Sequence, residues 1–83
     1  MIKEYKLFTT RFCHKCPAMK EFMLGQNKLT GSIVDASTPE GLTEARRFNV
    51  TGVPTVVFLD ESGGEVKRCG CKEEVEEVLR SVQ

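Results

Sequence analysis

Four cysteines stand in two close pairs, Cys13-His14-Lys15-Cys16 and Cys69-Gly70-Cys71. Thiols so spaced can ligate a metal, staple a small fold, or exchange electrons as a dithiol–disulfide couple. Zinc requires four ligands, and the two pairs together would supply them, although a C-x-C pair is an uncommon half of a closed tetrahedral site. Exchange requires two sulfurs with unequal tasks. The run "YKLFTT" reads as a strand, and the residues after Cys16 read as a helix, so Cys13 falls at a strand-to-helix junction. Unpaired backbone N–H groups and the positive end of the helix dipole favour a thiolate there. His14 and Lys15 add positive charge beside it. Cys16, one turn further, is shielded and suited to resolving a mixed disulfide.

The elements that position these residues follow from periodicity and turn chemistry. A strand is predicted over Tyr5–Thr9 from its aromatic and aliphatic content. Met19, Phe22 and Met23 fall at i, i+3, i+4, which predicts a helix from Cys16 to Leu24 closed near Gly25. Both methionines are assigned to the core. "SIVDA" is a short apolar run suited to a buried strand. Asp35 within it is read as the cap of the next turn, with buried proton handling as the other role. "STPEG" opens a second helix, with Ser37 or Thr38 as cap, Pro39 in its first turn, and Leu42, Ala45 and Phe48 on its inner face. "TVVFLD" is the clearest strand, Thr55–Asp60. "ESGGE" is a hairpin loop whose two glycines take positive φ, and "EVKRC" returns antiparallel. From Lys72, the residues Val75, Val78, Leu79 and Val82 mark a last helix, with Glu73 and Glu74 at its positive end.

The order is β-α-β-α-β-β-α. Its opening unit requires a parallel pair with a right-handed crossover, and the Gly-Gly hairpin requires an antiparallel pair. The predicted fold is therefore α/β: one domain over residues 1–83, a four-stranded mixed sheet with three helices on both faces.

Composition narrows the function. Twelve Lys and Arg balance twelve Asp and Glu, for a formal net charge of zero, which argues against a nucleic-acid partner. No apolar run approaches the roughly 20 residues of a membrane span. "MIKEYKLFTT" starts as a strand, with neither an apolar signal core nor a small-residue cleavage site, so a cytosolic setting is expected. Structural disulfides are rare there, which turns the cysteines toward redox or metal chemistry.

The chain resembles the thioredoxin-like superfamily, in a short thioredoxin/glutaredoxin-like form lacking thioredoxin's extra N-terminal strand and helix. Three segments in order carry the resemblance: a strand leading into "FCHKCP", the segment "VTGVPTVVFLD" with a cis-proline expected at Val53-Pro54, and "GGEVKRCG" as the closing hairpin with Gly70. The resemblance implies a small thiol–disulfide oxidoreductase in which Cys13 attacks and Cys16 resolves, needing no organic cofactor and no metal. It further implies that Pro54 packs beside the cysteines, with Gly70 close to both. Phe12, Thr51, Gly52 and Val53 would then receive an extended substrate. Implied partners are disulfide-containing proteins, such as ribonucleotide reductases or peroxide- and sulfur-metabolising enzymes, and a thioredoxin-reductase-like flavoprotein. A monomer is expected.

Departures from the family pattern are specific. Phe12 stands where thioredoxins carry Trp, and His14-Lys15 stands where they carry Gly-Pro. The strand "YKLFTT" lacks thioredoxin's buried Asp, leaving proton handling to His14, Lys15 or water. "CGCKEE" keeps one glycine of the glutaredoxin glutathione motif but not its Asp, which favours a flavoprotein as reductant. For Cys69 and Cys71 two readings stand open: a second redox pair exchanging with Cys13–Cys16, or a core residue beside a helix cap. The alternative function is a thioredoxin-fold metal binder using all four thiolates without turnover.

Overall fold

The computed structural model describes residues 1–82. The strands are β1 (Glu4–Thr9), β2 (Thr30–Asp35), β3 (Thr55–Leu59) and β4 (Glu65–Cys69); the helices are α1 (Cys16–Gly25), α2 (Pro39–Arg47) and α3 (Lys72–Ser81). They follow the predicted order and form one four-stranded sheet in the order β2-β1-β3-β4. β1 runs parallel to β2 and antiparallel to β3, and β3 pairs antiparallel with β4. Leu7 in β1 sits between Ile33 and Val56 of its two neighbours. Strands β1 and β3 are central and buried on both faces, so they read as nearly continuous apolar runs.

Each face carries its own core. On one, Met19 and Met23 of α1 and Val75, Val78 and Leu79 of α3 pack against Tyr5, Leu7, Val56, Phe58 and Cys69. On the other, Ala45 of α2 packs with Phe8, Val57 and Leu59, and Phe48, Val50 and Val53 close over them. The three helices thus lie on both faces, two against one.

Several local expectations are corrected. Leu42 is exposed, and Gly41 takes the inner face of α2 with Ala45. A Cβ on Gly41 would run into the Asp35 carbonyl, so glycine alone lets α2 lie this close to the end of β2. That rotation carries Leu42 outward. Thr38, not Ser37, caps α2: its hydroxyl accepts the Gly41 N–H at 3.0 Å, while Ser37 Oγ accepts the Arg11 N–H. Only Gly63 of the hairpin glycines has positive φ, at 84°. Asp60 holds the rest of that loop, its Oδ1 accepting the N–H of Ser62 and of Gly64. β2 begins at Thr30, two residues before the predicted run, because pairing with β1 extends it through residues without apolar side chains. Gln26 was not anticipated as a structural residue. Its amide donates to the carbonyls of Met23 and Leu29 and accepts from the N–H groups of Lys28 and Leu29, tying the end of α1 to β2.

Candidate active site

The N-terminal end of α1 carries the first cysteine pair. Cys16 opens the helix and Pro17 follows inside its first turn, where a missing N–H costs nothing. Lys15 occupies the cap position without a side-chain hydrogen bond to the helix. A sulfur supplies one instead: Cys13 Sγ accepts the Cys16 N–H at 3.1 Å. The first turn of α1 contains no acidic residue, so its positive end is not neutralised from within the helix.

Cys13 and Cys16 are joined by a disulfide, with Cα atoms 5.4 Å apart. Their exposures differ. Cys13 is half-buried and Cys16 is only 4% exposed. Cys13 is therefore the more accessible of the two. Phe12, immediately before Cys13 in the chain, is 84% exposed. His14 and Lys15 are exposed as well.

The Val53–Pro54 peptide bond is cis. Pro54 is buried, and a Cβ on Gly70 would come within 4.0 Å of its carbonyl oxygen. The two share a cavity of about 320 Å³ with Lys15, Met19 and Lys72. A second cavity of the same size lies on the other side of α1, lined by Arg11, Cys13, Cys16, Pro17, Lys20 and Asp35. Gly70 is therefore beside Pro54, and the cysteines line the second cavity. Thr51 and Gly52 are exposed, Val53 is half-buried, and none of the three lines either cavity. A Cβ on Gly52 would meet nothing within 4 Å, so this glycine is not required by crowding within the chain.

Asp35, at the end of β2, accepts the Ser37 N–H at 2.8 Å. The hydrogen bonds from Ser37 hold its carboxyl below the usual carboxylate range. It is an ionised turn cap, not a buried proton-holding acid. Arg11 and Lys20 act on it in the same direction from across the cavity. From the sequence alone, Lys20 is passed over and Lys72 enters only as the start of α3 and a departure from the glutaredoxin motif. Their signal was available: Lys20 lies one turn beyond Pro17 on α1, and Lys72 directly follows the Gly70-Cys71 segment.

Cys69 and Cys71 do not pair. Cys69 is 2% exposed, in the core beneath β4, and burial raises its thiol above the ordinary range. Cys71 is exposed at the N-cap of α3, where its Sγ donates to Glu74 Oε1 at 3.4 Å. The same carboxylate oxygen accepts the Gly70 N–H at 3.1 Å, so Glu74 ties the turn before α3 to the first turn of that helix. Strand alternation alone would put both sulfurs on one face. β4 ends at Cys69, and the turn into α3 swings Cys71 outward. Both are free thiols, Cys69 in the core and Cys71 exposed at the start of α3. Among the described residues, no three His, Cys, Asp or Glu side chains gather to hold a metal ion. Nor, among them, is any helix long and apolar enough to cross a membrane.

No family model matches the chain. Over 59 residues it is 36% identical to a probable thioredoxin of Archaeoglobus fulgidus, covering 68% of this chain and 65% of that protein. The chain thus spans 65% of the length of that curated relative. The solution structure of a thioredoxin from Thermus thermophilus is 30% identical, superposes with a TM-score of 0.68, and is matched over 92% of this chain and 69% of that one. The crystal structure of oxidised thioredoxin O2 from Arabidopsis thaliana matches with a TM-score of 0.82 over 95% of this chain and 73% of that one; at 19% identity it speaks for the fold alone.

Proposed function

The chain belongs to the thioredoxin-like superfamily, and from that premise we propose that it is a small thiol–disulfide oxidoreductase working through Cys13 and Cys16. The observation that carries the reading is the asymmetry of the pair at one helix N-terminus: a half-buried sulfur that accepts a backbone N–H, bonded to a buried partner. In the reduced protein the Cys13 thiolate attacks one sulfur of a client disulfide. A Cys13–client bond forms, and the client's other sulfur leaves as a thiolate and takes a proton from solvent. Cys16 then loses its proton and attacks Cys13. The Cys13–Cys16 bond forms and the second client sulfur leaves as a thiolate. Two electrons pass to the client, and the protein ends in the disulfide state.

Phe12 supplies apolar contact beside the attacked sulfur. The backbone of Val53, held by Pro54 with Thr51 and Gly52 before it, receives an extended client segment by main-chain pairing, and Gly70 flanks it. His14 and Lys15 favour the Cys13 thiolate. A dithiol donor, of the thioredoxin-reductase flavoprotein class, returns the pair to the reduced state in a reducing cytoplasm. Its clients are proteins with accessible disulfides, with ribonucleotide reductases and peroxide- or sulfur-metabolising enzymes as the candidates, and it acts as a monomer. The test is a redox titration of metal-stripped protein, read by differential alkylation and mass spectrometry. A reversible two-electron couple confined to Cys13 and Cys16 supports the proposal. Absence of any reversible Cys13–Cys16 couple sinks it.

A further inference from the structure

We infer that the clients are acidic: disulfide-bearing protein segments with Asp or Glu within two residues on either side of the attacked cysteine. This rests on the oxidoreductase reading above and names its substrate class. Both cavities beside the N-terminal turn of α1 are rimmed by cations, Arg11 and Lys20 on the side of the cysteines, Lys15 and Lys72 on the side of Pro54. Among the described residues none of the four is in an ion pair; the ion pairs join Lys6 and Arg47 to Glu44, and Arg68 to Glu65.

Glu74 is engaged with Gly70 and Cys71, while Asp35 stays ionised on the rim it shares with Arg11 and Lys20 and Glu73 lies on the other rim, so the two rims hold four cations against two carboxylates. The positive end of α1, with no acid in its first turn, adds to the same field. Formal net charge is nevertheless zero, so this positive end is set against a negative remainder to which α3 contributes Glu76 and Glu77. A charge-separated molecule of this kind orients its reactive end toward an anionic partner during encounter.

Geometry fits a segment lying across the turn. In an extended strand, residues i−2 and i+2 point to the same side as residue i. With the cysteine over Cys13, side chains two places before and after it fall toward the two rims. A basic segment is repelled by the surplus of two positive charges on the rims, and a neutral one leaves that surplus unanswered.

The test compares two disulfide-linked peptides of equal length, one with Asp and one with Lys at the i−2 and i+2 positions. At about 20 mM salt the Asp peptide is expected to be reduced with a kcat/KM about tenfold higher, the lower end of electrostatic steering. At about 500 mM salt, where screening acts within a few ångströms, the ratio is expected to approach one. The Lys20→Glu/Lys72→Glu variant, with folding checked by circular dichroism, is expected to lose or invert the preference. Because the readout is a ratio of two substrates on one protein, a change in Cys13 reactivity cancels. Equal rates for both peptides at low salt, with reduction intact, overturn the inference and leave the oxidoreductase reading standing. A salt-insensitive ratio overturns it in the same way. If neither peptide is reduced, both readings fall.

Discussion

The Cys13 sulfur of the reduced protein is expected to be thiolate to a degree that the fold itself sets. Substituting Cys16→Ser isolates it, since serine keeps the backbone N–H that Cys13 Sγ accepts at 3.1 Å. A hydrogen bond to a charged acceptor is worth about 1.5–3 kcal/mol, and the N-terminal end of a helix about 0.3–1 kcal/mol for a partly exposed anion. Taking the lower part of each range gives about 2 kcal/mol. At about 1.36 kcal/mol per tenfold, that raises the thiolate-to-thiol ratio about thirtyfold. An unperturbed cysteine at pH 7 is a few per cent thiolate. Cys13 in the folded variant should then be roughly half thiolate by the same conversion. The alkylation rate gains less, about threefold, because nucleophilicity falls as the thiolate is stabilised, with a Brønsted coefficient of about 0.4–0.5. The assay is thiolate ultraviolet absorbance and iodoacetamide labelling against pH, folded and in denaturant, in a background where Cys69 and Cys71 are replaced. A thiolate fraction at pH 7 that does not change on unfolding would refute the claim that the α1 terminus activates Cys13.

Two further outcomes are expected. Replacing Cys69→Ala together with Cys71→Ser should leave the midpoint of the Cys13–Cys16 couple unchanged and lower Tm by several degrees, at about 4–8 °C per kcal/mol lost from the Cys69 core site; a moved midpoint would mean the two pairs communicate. The hydrogen bond from Lys6 holds the Glu44 carboxyl below its ordinary range, and a carboxyl depressed by folding lends stability above its unfolded value and loses it as pH falls through the folded one. Tm should therefore decline on going from about pH 5 to about pH 3, and Glu44→Gln should flatten that decline; an identical pH profile for the variant would show the Lys6 contact to be energetically silent.

What the sequence by itself determined about this protein is what contiguous residues encode. Strand β1 running into Cys13, helix α1 opening at Cys16, the cap-and-proline start of α2 and the apolar stripe of α3 each follow from spacing within about a dozen residues. The element order and the mixed sheet follow in turn, since the connection lengths allow few topologies. The primary pair was legible for the same reason: both sulfurs and the helix that polarises them lie within one short segment.

Only the tertiary structure decided what depends on which surfaces meet. Gly41, closely approaching the Asp35 carbonyl, turned Leu42 out of the predicted face, and that clash is invisible to a periodicity argument. The facing of Cys69 and Cys71 was set by where β4 stops and α3 begins, a one-residue matter that reverses a side chain. The two cavities were beyond sequence reasoning altogether. Arg11, Lys20 and Asp35 meet at one, and Lys15, Pro54 and Lys72 at the other, because β1, β2 and β3 are neighbours in the sheet and α1 and α3 pack on the same face of it. Chain spacing carries no information about such convergence. It arises when burial of two apolar faces fixes the helices against the sheet and leaves the polar ends of several elements side by side.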